Sequence, residues 1–304
     1  MAIKLRTYYG PNDLDLQRDF WVRATRDLPW CWKPTISPNL YAKGQQFDPR
    51  SRCFAFDGNR LVGYMSFTGH GDFVSLGYPW VLPEYQGELQ EELYRAVYGF
   101  AASPEYGGRT FAQRFREQWT AQISFFVRHG FEVQRSEPIY ALDLRSARAN
   151  QILNAPTRRE PESLPRPVDA GRYRLETQGE FQWAEFLKLA AARLPQEQLA
   201  MSRLYFESVE FDFAVKALEG DRSVAYLGFA IRLDTGFGEL IAVAFGDSAT
   251  DVIGPCLLLA IHELRARKAL FLATKSLPLE SSAENIEGLG FKRVTTELLL
   301  SKSI

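Results

Sequence analysis

The sequence predicts an α+β protein made of two tandem domains, each a mixed, mainly antiparallel sheet flanked by helices. Three observations predict it. The chain has 304 residues, more than one hydrophobic core usually serves. A proline-rich stretch from Ser146 to Gly171 interrupts it, with Pro156, Pro161, Pro165 and Pro167 among charged and small residues. Two separate sequences also recur at nearly one spacing. Asp57-Gly58-Asn59-Arg60-Leu61-Val62-Gly63-Tyr64 returns as Glu219-Gly220-Asp221-Arg222-Ser223-Val224-Ala225-Tyr226, an offset of 162 from Val62 to Val224. His129-Gly130-Phe131-Glu132 returns as Leu289-Gly290-Phe291-Lys292, an offset of 160 from Gly130 to Gly290. A shared offset at two places implies duplication of a whole domain. The domains are therefore expected at 1–145 and 172–304. The 146–171 segment joins them as a linker, because proline lacks an N–H and fixes φ.

Each half gives its elements in the same order. A short strand opens it, Ile3–Tyr8 or Tyr173–Glu176. Amphipathic helices follow, over Asp13–Asp27 in the first half and over Glu180–Arg193 and Ser202–Phe211 in the second, where Phe181, Phe186 and Leu187 fall at helical spacing. A hairpin comes next. Arg52–Phe56 turns through Asp57-Gly58-Asn59 into Leu61–Thr68, and Phe213–Leu218 turns through Gly220-Asp221 into Ser223–Leu233. Glycine and asparagine accept the positive φ such turns need. A fourth strand, Phe73–Leu82 or Glu239–Phe245, leads to a helix, Leu89–Ala101 or Pro255–Arg267. Another strand, a short helix and a Gly-Phe pair follow, and a last strand closes each half, Pro138–Leu144 or Val294–Ser301.

Composition excludes several classes. Net charge is −1, with no basic run to hold a phosphate backbone, so nucleic acid is not an expected partner. Cys31, Cys53 and Cys256 are scattered, and His70, His129 and His262 lack ligand spacing, so no metal site is expected. The start, MAIKLRTYYG, is not a signal peptide, and no apolar run nears the ~20 residues of a membrane span. A cytoplasmic location is the expectation.

In the first half the fourth strand runs into Val81-Leu82-Pro83-Glu84-Tyr85-Gln86-Gly87 and then a helix. This resembles the acetyl-CoA motif of the GNAT superfamily of acyl-CoA N-acyltransferases, a strand ending V-x-P, then Q/R-x-x-G-x-G/A, then a helix. The order of elements and the late Gly-Phe agree, so the resemblance covers both halves, in an arrangement similar to mycothiol synthase. It implies acetyl-CoA as acyl donor, a small-molecule amine as acceptor, and leaves room for a homodimer. It also implies how the donor is held. Free amides at a helix N-terminus cradle the pyrophosphate. The fourth strand, splayed from the fifth, pairs with the pantetheine arm and polarises the thioester carbonyl.

Carried onto this chain, the resemblance marks Val81, Leu82, Gln86 and Gly87 in the first half as cofactor-binding candidates. In the second half it marks Val243, Ala244, Thr250 and Gly254. Leu89 and Glu91 stand where the first motif has glycines, and Glu88, Glu91 and Glu92 crowd that helix start, where they cap the helix and repel phosphate. The second loop, Gly246–Pro255, is less bulky and is the favoured seat. The family's tyrosine position falls on Phe126 and Ile286, neither of which donates a proton, so Tyr140 becomes the candidate acid, with Tyr78 near it. Glu239 at the head of a fourth strand is the candidate base, ahead of Asp72. Trp30-Cys31-Trp32 falls where the family covers its acceptor. The alternative is a non-catalytic protein that binds CoA or a metabolite, or an interaction module.

Overall fold

The computed structural model describes residues 3–30, 47–70, 73–107, 109–146, 168–191, 211–232, 236–246, 252–275 and 286–304. They form two compact units. One comprises the described residues up to Ser136 together with Thr295–Ile304, and the other is Glu137–Val294.

The first unit begins with β1 (Ile3–Thr7) and α1 (Asn12–Ala24). Asp13 ties them together. It accepts bonds from both Arg6 guanidinium nitrogens at 2.7 and 2.8 Å and from the Tyr9 N–H at 2.6 Å. The Arg6 bonds hold its carboxyl below the usual carboxylate range. A hairpin of β2 (Arg52–Asp57) and β3 (Arg60–His70) turns at Gly58, whose φ is +58°. Then come β4 (Phe73–Leu76), β5 (Trp80–Val81), α2 (Glu88–Ala101), β6 (Thr110–Arg116) and α3 (Thr120–Arg128). α2 buries Leu89, Leu93, Tyr94, Val97 and Ala101, one helical stripe, against the sheet.

The strand expected over Phe73–Leu82 is two strands. The Gly77 N–H bonds the Ser66 carbonyl at 2.7 Å, and a Cβ on Gly77 would lie 2.6 Å from that oxygen. Only glycine lets the backbone dip this close.

The second unit carries β8 (Val168–Ala170), β9 (Tyr173–Gln178), α4 (Trp183–Ala190), and a hairpin of β10 (Phe213–Glu219) and β11 (Arg222–Arg232). β12 (Phe237–Phe245), α5 (Ile253–Ala266) and β13 (Phe271–Lys275) follow. α4 covers one face of β11 and β12, where Phe186, Tyr226, Ala242 and Ala244 pack together. α5 covers the other with Cys256, Leu257, Ala260, Ile261 and Leu264. The helix expected over Ser202–Phe211 lies outside the described residues apart from Phe211, as does most of the 146–171 linker. The linker's last part is strand, since Val168–Ala170 pairs antiparallel with β9.

The units are not the two halves of the chain. β7 (Glu132–Asp143) was expected to close the first half, and β14 (Lys292–Ser303) the second. Instead Ile139–Asp143 pairs antiparallel with β13, and Glu297–Ser303 pairs antiparallel with β6. Each unit therefore takes in a strand from the other half of the chain. In the first unit the order is β1-β2-β3-β4-β6-β14, and in the second it is β7-β13-β12-β11-β10-β9-β8. Apolar alternation says that a segment is a strand, but not which ladder it joins. Inside the first unit Glu297 is 6% exposed and accepts bonds from Arg114, at 3.1 Å, and from Arg116.

Candidate functional site

Both units contain the same wedge. β4 pairs in parallel with β6 only over Phe73–Ser75, and the strands then part as the chain turns into β5, which pairs with β3. β12 pairs in parallel with β13 from Phe237 to Leu240, after which β12 continues alone on that side among the described residues. A helix starts beyond each diverging strand, α2 in one unit and α5 in the other.

The ladders fix which peptide groups face the wedge. In the second unit the Gly246 N–H donates to the Val224 carbonyl at 2.9 Å, and Tyr226 lies opposite Ala244. Bonded pairs alternate along an antiparallel ladder, so the peptide groups of Ala242 and Ala244 point at β11. That of Val243 points the other way, into the wedge; below Ala242 the alternation is broken by a bulge at Ile241. In the first unit the Leu82 N–H donates to the Val62 carbonyl at 2.9 Å, and Tyr64 lies opposite Trp80. Leu82 therefore faces β3, and Val81 faces the wedge. Two of the expected donor-holding residues, Leu82 and Ala244, have their amides engaged by neighbouring strands.

The same registers correct the matching of the halves. Tyr64 and Tyr226 are equivalent, so Trp80 matches Ala244, Pro79 matches Val243, and Tyr78 falls at Ala242. The constant offset had matched Val81 to Val243. The turn between β11 and β12 is two residues longer than that between β3 and β4, which shifts everything after it.

In the first unit aromatic side chains cross the wedge. Tyr78 meets Phe115 of β6 with ring centroids 6.4 Å apart, and Trp80 meets Trp119, just beyond β6, at 6.4 Å. Trp119 is anchored by its indole N–H to the Pro29 carbonyl at 2.7 Å. The Tyr78 hydroxyl accepts a bond from Gln90 Nε2 at 2.8 Å, and burial raises the phenol's pKa. At the start of α2, Gly87 has φ +97°, and its N–H is bonded to the Gln90 side chain at 3.2 Å. Gln86 precedes it, exposed. A groove of about 440 Å³ lies there, lined by Glu84, Glu88 and Glu92 with Ile3, Tyr85 and Leu89. The lining is anionic, and a pyrophosphate does not fit it.

In the second unit α5 starts without an acidic residue in its first turn. Gly254 is its second residue, and among the described residues nothing lies within 4 Å of a Cβ placed on it. Thr250 lies outside the described residues, as do Asp247 and Asp251. A helix first turn without acidic residues, with a glycine second in it, beside an outward-facing strand edge suits a phosphate-bearing acyl donor.

Glu239 and Tyr140 are not brought together. Cross-strand neighbours share a face of a sheet. Tyr140 lies opposite Thr274, which lies opposite Leu240; Tyr140 and Leu240 are in the core beneath α5. Glu239 lies opposite Ala273, on the other face, towards α4. A Cβ on the neighbouring Gly238 would sit 2.4 Å from Leu264 of α5, which fixes the two faces independently. Tyr140 is 7% exposed and packs as a core aromatic.

The remaining candidates serve packing. Cys53 and Cys256 are buried, and burial pushes their thiols up to about 11 and about 12. Phe126 and Ile286 are buried in the two cores. His129 stacks on Tyr94 at 3.9 Å and bonds Glu91 at 3.1 Å. Trp30 has φ +53°, while Cys31, Trp32 and Asp72 lie outside the described residues. Among those residues no cluster of His, Cys, Asp or Glu is placed to hold a metal, and no helix is long and apolar enough to cross a membrane.

No protein-family model and no curated protein sequence matches the chain. Solved structures do. The chain is similar to a tandem GNAT protein from the clavulanic acid biosynthesis pathway, with a TM-score of 0.72 and 13% identity, covering 99% of this chain and 98% of that one. It is similar to a GCN5-related N-acetyltransferase from Sphaerobacter thermophilus, with a TM-score of 0.60 and 12% identity, over 99% and 95%. A further likeness is to a putative acetyltransferase from Pyrococcus horikoshii, with a TM-score of 0.54 and 14% identity, over 99% and 89%. Likeness at such identities speaks for architecture, and with the two wedges it shows that this chain has the tandem GNAT fold.

Proposed function

We propose that the protein is an acyl-CoA-dependent N-acyltransferase, with acetyl-CoA as donor and a small-molecule amine as acceptor. The observation that carries this reading is the wedge, a parallel strand pair that parts beside a helix N-terminus. Such an edge offers peptide N–H groups to an extended polyamide arm. The same donors, held in place, stabilise negative charge as it develops on a carbonyl oxygen. The donor supplies the activated acyl group, and the chain supplies position and polarisation.

Glu239 is the proposed base. It stands one residue before the point where β12 and β13 part, on the face away from α5. There it takes the proton of an ammonium acceptor so that the amine is nucleophilic. Tyr140 has no part in this scheme, because it lies on the opposite face.

Calorimetry with acetyl-CoA, followed by CoA-thiol release across an amine panel, tests the reading. Saturable binding and amine-dependent thiol release are expected. Glu239→Gln should lower kcat/KM by about 100-fold while leaving acetyl-CoA affinity unchanged. Binding without release for any amine would favour the non-catalytic alternative, which the buried Phe126 and Ile286 at the family's tyrosine positions also favour.

A further inference from the structure

We infer that the donor binds to one unit only, the second, and that the first unit's wedge is closed by its own side chains. This rests on the acyltransferase reading and assigns its seat.

The strands make the comparison position by position. Val243 offers an N–H to the second wedge, and the equivalent residue in the first is Pro79, which has none. A backbone that must pair with the donor arm and polarise its carbonyl is missing a donor there. The neighbouring positions diverge the same way. Ala242 and Ala244 stand where the first unit has Tyr78 and Trp80. Those two rings reach Phe115 and Trp119, so the two arms of the first wedge touch through side chains. The turn of main chain that seats the aromatics is itself closed, since the Trp80 N–H bonds the Tyr78 carbonyl at 2.9 Å. The helix starts differ as well. Glu88 and Glu91 occupy the first turn of α2, and the Gly87 N–H is already engaged by Gln90. α5 has no acidic residue in its first turn, and a Cβ on Gly254 would meet nothing within 4 Å among the described residues. Donor geometry and steric occupancy are two independent differences, and both exclude the donor from the first unit.

The test is acetyl-CoA titration of the full chain and three variants, read by calorimetry as stoichiometry and dissociation constant. Val243→Pro writes the first unit's residue into the second. The Val243 N–H faces away from β11, so proline breaks no bond of that ladder. Gly254→Asp places a carboxylate at the α5 start, where no described residue obstructs its Cβ and where a negative charge favours the helix N-terminus. Pro79→Ala is the matched change in the first unit. Wild type should bind one equivalent. Val243→Pro and Gly254→Asp should each weaken binding at least tenfold, with circular dichroism and melting unchanged, and Pro79→Ala should leave both numbers as they are. Two equivalents in the wild type would overturn the assignment. So would tight binding retained by both second-unit variants, and either result leaves the acyltransferase reading standing. Absence of binding by acetyl-CoA and longer acyl-CoAs to folded wild type would sink that reading, and this assignment with it.

Discussion

Asp13 shows how much one side chain can hold. It is 4% exposed, and its carboxylate gathers β1, the following turn and α1 through Arg6 and the Tyr9 N–H. Asp13→Ala should cost about 2 kcal/mol at pH 7, read from urea denaturation. Because the native carboxyl titrates below its unfolded value, its contribution is present above about pH 4 and is lost as the pH falls through the depressed native value. The gap between variant and wild type should therefore narrow in acid. At the same scale the candidate site was only partly legible in the sequence. Gly254 and Val243 are marked by the family resemblance alone. Pro79 could not be matched to Val243, because the shift comes from two extra residues in a turn whose length carries no periodic signal. The sequence marks Tyr78 only as a candidate beside the acid Tyr140, and the register shows that it and Trp80 span the wedge.

At the scale of single elements the hairpins were legible and the fourth strands were not equally so. Asp57-Gly58-Asn59 and Gly220-Asp221 encode tight turns locally, and Gly58 and Gly220 have φ of +58° and +60°. The break in the first unit's fourth strand depends on Gly77 approaching Ser66, a contact that no local pattern announces. Close approach also marks β11. Gly228 lies at its bulge opposite β12, and a Cβ there would sit 2.4 Å from Phe181 and 2.7 Å from Phe211, whose rings stack at 4.0 Å. Gly228→Ala should lose about 1–3 kcal/mol by overpacking. Gly254→Ala meets nothing within 4 Å among the described residues and gains helix propensity, so it should hold or raise stability by up to about 1 kcal/mol. Differential scanning calorimetry of the two variants should therefore move the melting temperature in different directions.

For the whole molecule, the duplication was legible and the exchange of closing strands was not. The repeat is written in local composition, whereas ladder choice is settled by contacts far apart in the chain. Leu298 faces Phe115 and Leu300 faces Gln113 across a ladder joining β14 to β6. A chain stopped at Val294 loses that strand, and with it the Glu297 carboxylate between Arg114 and Arg116. Limited proteolysis with mass spectrometry should find the truncated chain cut within 47–136, in segments the full chain protects.

Biosynthesis inherits the same arrangement. A ribosome makes Arg116 187 residues before it makes Ser303, the last residue of β14. At about 5–20 residues per second that is a wait of roughly 10–40 s. Throughout it β6 lacks its neighbour, and an uncovered strand edge beside a finished hairpin invites pairing with other chains. The amino-terminal unit is translated first but completed last.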